Sequence, residues 1–134
     1  MTKFMWFQII SVALILGLLI TICAVEDKLV SDALSLVKDY CYQIETAMVE
    51  NDGIKNNEVN SLVENLEEKW LDDERSLCYV VNHKSIQEIG VEIIKLKTYI
   101  EEDDIKEFSV SLQLIKLYSE QYNHFMGANF KNIL

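Results

Sequence analysis

Residues Phe4 to Val25 carry no charge, and beyond them apolar positions recur at steps of three and four almost to the end of the chain. The first pattern predicts a membrane-crossing helix and the second a series of amphipathic helices. At about 1.5 Å per residue the uncharged run spans roughly 33 Å, enough for a hydrocarbon core of about 30 Å. A buried seam then follows at Val30, Leu34, Val37, Cys41, Ile44 and Met48, ending at Asn51-Asp52-Gly53, where Gly53 is expected to take the left-handed backbone that stops helices. A second seam runs Val59, Val63, Leu66, Trp70, Leu77 and Val81, interrupted by Asp73. In an antiparallel hairpin Asp73 falls opposite Asp32, so a straight continuation carries Val81 toward bilayer depth. Either the second helix bends or ends near Leu71 to Glu74, or the chain kinks or bends near Glu26 to Ser31, and the second is the favoured expectation.

Asn82-His83-Lys84 reads as a connector, and Ser85 with Glu88 as a capping box that starts the third helix. Its seam is Ile86, Ile89, Ile93, Leu96 and Ile100. Asp103-Asp104 turns the chain again, with Asp104 and Glu107 placed to cap the fourth helix. That helix directs Ile105, Phe108, Leu112 and Ile115 inward and runs past Tyr118, Tyr122 and Phe125 to an expected stop at Gly127. Glu50, Asp52, Ile54, Lys55 and Val59 match Glu101, Asp103, Ile105, Lys106 and Val110, which suggests two related hairpins; chance likeness between amphipathic helices is the other reading. The expected fold is all-α: a short amino end (1–3), a transmembrane anchor helix (4–25) and an antiparallel four-helix bundle of two helical hairpins (26–134).

The uncharged run is too long for a cleaved signal peptide, and Ile22 occupies the place where processing at Ala24 or lipid attachment at Cys23 needs a small residue. Lys3 precedes the run and Glu26-Asp27 follow it, which predicts a cytoplasmic amino terminus and an extracytoplasmic domain. Phe4, Trp6 and Phe7 stand where an interfacial aromatic belt belongs. Ala13, Gly17, Thr21 and Ala24 share one side of the helix and suit close approach by another helix, although small residues are also common in membrane helices generally.

Charge narrows the partners. The segment 26–134 keeps all 22 acidic residues and every base but Lys3, which argues against nucleic acid and anionic headgroups and permits a basic protein. Cys41 and Cys78 are expected to stand too far apart for a disulfide in an antiparallel hairpin, roughly 21 Å against a tolerance of about 7 Å, and to serve as small buried apolar residues.

The candidates for chemistry are few. His83, at a helix corner near Cys78 and Glu88, is the ligand candidate, but two potential ligands fall short of a zinc site, and capping a helix end is the plainer role. His124 reads as surface or tail, and Trp70 as a core anchor. The acids at the two turns lack the loop pattern that calcium needs. No phosphate loop, nucleophile–base pair or paired-histidine motif appears, so neither catalysis nor a cofactor is expected. Tyr118, Tyr122, Phe125, Phe130, Ile133 and Leu134 form an apolar set near the carboxyl end. They either finish the domain's own core or offer a partner patch.

Glu67-Glu68-Lys69-Trp70, Asn82-His83-Lys84 before Ile86-x-x-Ile89, Leu96-Lys97-Thr98-Tyr99-Ile100 and the terminal Asn132-Ile133-Leu134 follow a single span in that order. In this the chain resembles the bacterial family catalogued as domain of unknown function four-three-six-three, small membrane proteins found largely in spore-forming Firmicutes. The resemblance implies no activity. It implies an accessory role, because members are often encoded near membrane proteins of the YetF type. The tail Gly127-Ala128-Asn129-Phe130 departs from the commoner pattern. The function expected is a non-enzymatic, membrane-anchored accessory or scaffold subunit; the alternative is a sensor binding a small ligand between helices. A homodimer through the membrane face is the other assembly considered.

Overall fold

Four helices form: α1 (Thr2–Glu50), α2 (Asn57–Cys78), α3 (His83–Glu102) and α4 (Ile105–Ile133). The structure, a computed structural model, describes the backbone of residues 2–78 and 83–133 and the side chains of residues 2–77, 84 and 86–121. Helix α1 packs on α2 and α4, and α3 packs on the same two. Short connections make successive helices antiparallel, which gives an up-down-up-down four-helix bundle of two hairpins. The all-α class and the bundle agree with the hydrophobic pattern.

The kink expected over Glu26 to Ser31 does not interrupt α1, which continues as one helix of 49 residues. The reason is compositional. The chain has no proline, and no glycine stands between Gly17 and Gly53, so nothing here opens the hydrogen-bond ladder. Helix α2 likewise passes Asp73, which is half-buried, and reaches Cys78 with Leu77 fully buried.

The seams meet in one core. Val30, Leu34, Val37, Cys41 and Ile44 join Val59, Val63, Leu66, Trp70 and Leu77, then Ile86, Ile89, Ile93, Leu96 and Ile100, and finally Phe108, Leu112 and Ile115. Each such side chain stabilises the fold by about 1.5–3 kcal/mol through removal from water. Ile105 departs from expectation: as the first residue of α4 it stands 47% exposed at the rim of the bundle end.

Both hairpin turns use the same device, and it places the left-handed residue one position before Gly53. Asp52 (φ 51°) and Asp103 (φ 55°) take that conformation, while Gly53 follows at φ 155°. Gly53 N–H donates to the Met48 carbonyl and Asp104 N–H to that of Tyr99, six-to-one bonds that close each helix end. Asn56 then caps α2 by accepting from Val59 N–H at 2.9 Å, and Asp104 caps α4 by accepting from Glu107 N–H at 3.1 Å. The likeness of the hairpins is confined to the turns: Ile54 and Val59 are buried, whereas Ile105 and Val110 are exposed.

Two boundaries differ from the sequence reading. Helix α3 begins at His83, so His83 and Lys84 belong to its first turn, not to a connector ended by Ser85. Gly127 does not stop α4, which runs on to Ile133. A helical glycine costs about 1 kcal/mol against alanine, and that alone ends nothing.

Candidate functional site

Glu67, Trp70, Leu71 and Glu74 recur on α2 at steps of three, one and three, which puts them on one face. Gln87, Gly90, Val91 and Ile94 repeat that spacing on α3. The two faces meet along an open cleft of about 270 Å³. Trp70 forms part of its wall, only 3% exposed, with an indole Nε1–H that has no hydrogen-bond acceptor. Leu71, Val91 and Ile94 border it with more than half of their surface in solvent.

Gly90 is what lets Trp70 lie there. A Cβ on Gly90 would stand 2.9 Å from Trp70 Nε1, inside van der Waals contact of carbon and nitrogen, and 3.8 Å from Glu74 Oε1. Gly90→Ala is therefore expected to destabilise the protein by up to about 2 kcal/mol: overpacking of about 1–3 kcal/mol is set against a helix-propensity gain of about 1. Urea unfolding followed by circular dichroism reads the sign. A stabilised variant would show that the indole is free to move aside.

Among the described residues the other buried polar side chains between helices have partners. Glu92, buried between α3 and α4, accepts from Ser111 Oγ at 2.8 Å and from Lys95 Nζ at 2.9 Å. That hydrogen bond, then the carboxylate charge, raises the Lys95 pKa. Glu67 acts in the same way on Lys97 across α2 and α3, at 2.7 Å. Between α1 and α4, Glu45 Oε1 accepts from Lys116 at 2.6 Å and Gln113 at 3.0 Å, and Lys116 lies 5.1 Å from the centre of the Tyr42 ring. Lys38 and Glu120 pair at 3.2 Å beside them. Such contacts fix helix register.

Cys41 is free and fully buried. Burial, then Glu45, pushes its thiol up to about 12 against the pull of Lys116. Its reading as a small apolar core residue agrees with this. Among the described residues no group of three or more histidine, cysteine or acidic side chains is placed to hold a metal ion.

Ala13, Gly17, Thr21 and Ala24 lie exposed on α1, and a Cβ on Gly17 would meet nothing. Thr21 Oγ1 donates to the Gly17 carbonyl at 2.8 Å, which turns its polar group back into the helix. Tyr118 is half-buried and packs against the core. The side chains of Tyr122, Phe125, Phe130, Ile133, Cys78 and His83, and Leu134 altogether, lie outside the described residues. The described part of the tail set is thus Tyr118 alone, on its own domain. Sequence reasoning missed the α2–α3 cleft, although Gly90 amid the apolar repeats of α3 marked a close approach.

Among the described residues α1 is the one helix long and apolar enough to cross a membrane, and none of its most apolar window is buried. No curated protein and no solved structure matches the chain. A family model does match: positions 25–133, the bundle and its junction with the apolar run, match the family described as Domain of unknown function (DUF4363), and the chain belongs to that family.

Proposed function

We propose that this protein is a single-span, membrane-anchored accessory or scaffold subunit without catalysis of its own, with a cytoplasmic amino terminus and the bundle outside the cell membrane. The observation that carries the proposal is the continuity of α1. The helix leaves its exposed apolar half at Val25 and enters the core at Val30 without a break. The bundle therefore stands directly on the membrane surface and turns with its anchor. A protein that docks laterally on the span also meets the bundle. Among the described residues the core between the four helices is built of apolar side chains, which favours this role over a small-ligand sensor that needs a polar chamber there.

Ala13, Gly17, Thr21 and Ala24 are the face proposed to meet the partner's span, and a YetF-type membrane protein is the partner that the family resemblance suggests. Tagged full-length protein taken from its native membranes in mild detergent is expected to retain one stoichiometric membrane protein. Gly17→Leu is expected to lower that recovery at least tenfold while membrane insertion persists. Recovery of only a second copy of the chain would replace the scaffold with a homodimer, and recovery of nothing would overturn the proposal.

A further inference from the structure

The cleft between α2 and α3 is a groove two helical turns long, and its chemistry specifies an occupant. Its walls come from positions spaced i, i+3, i+4 and i+7 on antiparallel helices, so it runs along the helix axes and offers a third helix a place to lay a ridge. Leu71, Val91 and Ile94 border it as exposed apolar side chains. Two carboxylates, Glu67 and Glu74, belong to the same lining. Lys97 pairs with Glu67 through Oε2, while Glu74 makes no ion pair among the described residues and reaches over Gly90. Trp70, 3% exposed, forms the apolar floor between them.

We infer that the groove binds a basic amphipathic helix next to the span of a membrane partner. This rests on the accessory reading above and names the surface and the partner's chemistry. Lysine or arginine of the incoming helix meets Glu74 and the free side of Glu67, and its apolar stripe covers Leu71, Val91 and Ile94. The height is right for a juxtamembrane segment. Glu74 lies one turn before the end of α2 and Gln87 one turn into α3, at the end of the bundle where α1 enters from the apolar run. A second copy of the chain does not suit the groove, because it brings the same carboxylates and a net charge of −10 against them. Anionic lipid is repelled for the same reason.

The test places a photo-crosslinking amino acid at Ile94 in the full chain, in native membranes, with parallel probes at Ile20 beside the small face of the anchor and at Val49 near the distal turn. The Ile94 probe is expected to join a lysine- or arginine-rich amphipathic segment beside the span of the same membrane protein that Ile20 reaches, and Val49 to join nothing. Glu74→Lys, with unchanged circular dichroism and thermal midpoint, is expected to cut the Ile94 yield at least tenfold and to leave the Ile20 yield intact. Capture by Ile94 of lipid, of a second copy or of an acidic segment would overturn the inference, as would a yield indifferent to Glu74→Lys. Capture by Ile20 alone would leave the accessory role standing and the groove unoccupied. Capture of no protein by either probe would bring down both.

Discussion

Phe108→Ala is expected to remove about 3–5 kcal/mol of stability, as truncation of a buried aromatic does where the surroundings close only partly over the space. Phe108 is the largest of the fully buried side chains and sits in the first turn of α4, where its N–H donates to the Asp104 carbonyl at 3.0 Å. Two contributions are therefore held in one place. The capped turn fixes where the ring points, and the ring fills the distal end of the core that Ile54 also enters. A small domain has about 5–15 kcal/mol in total, so the variant approaches the limit of folding. Phe108→Leu keeps most of the volume and is expected to cost about 1 kcal/mol. Urea unfolding of the detergent-solubilised protein gives both numbers. A loss below about 1 kcal/mol for the alanine variant would place Phe108 outside a packed core.

The helices and their order were legible because period is a local signal: Ile86, Ile89, Ile93, Leu96 and Ile100 state the inner face of α3 without reference to anything else, and all five are buried. Ile105 obeys the same period and is nevertheless exposed, because burial at a helix end depends on what the neighbouring helices reach. The turns show a similar limit. Glycine is the usual left-handed residue, yet Asp52 and Asp103 hold that place, where aspartate is tolerated and the six-to-one bonds stabilise the turn. The continuity of α1 was readable from the absence of proline and glycine between Gly17 and Gly53.

The groove was the least legible part. Trp70 and Gly90 are 20 positions apart, and their fit depends on the register of two helices. Sequence alone gave Trp70 as a core anchor, which is correct for its ring and silent about its N–H. The paired polar contacts fare no better: Glu92 with Ser111 and Glu45 with Lys116 join residues from different helices, and neither pair has a spacing that marks it. What sequence does carry is the contrast between an apolar amino-terminal helix and an acidic bundle.

Cys41 supplies the second large effect, and it depends on pH. Its thiol ordinarily ionises near 9.0 and in the folded protein is pushed up to about 12, mainly by burial. Folding thus favours the protonated form. The unfolded chain loses this proton first as pH rises, so the contribution of the neutral thiol is fully present below pH 9 and is lost as pH climbs toward 12. Three units correspond to about 4 kcal/mol in all, at about 1.4 kcal/mol per unit. Lysines and tyrosines titrate over the same range, so the informative quantity is a difference between proteins. Cys41→Ala carries a pH-independent penalty for the lost sulfur, and the gap between it and the parent is expected to shrink by roughly 2–3 kcal/mol between pH 8 and pH 11 and then to reverse. Parallel stability curves for the two proteins would show that the thiol reaches water in the native state. Native-state alkylation offers an independent reading: Cys41 is expected to react only through unfolding, so its rate falls with every stabilising condition and rises with Phe108→Ala.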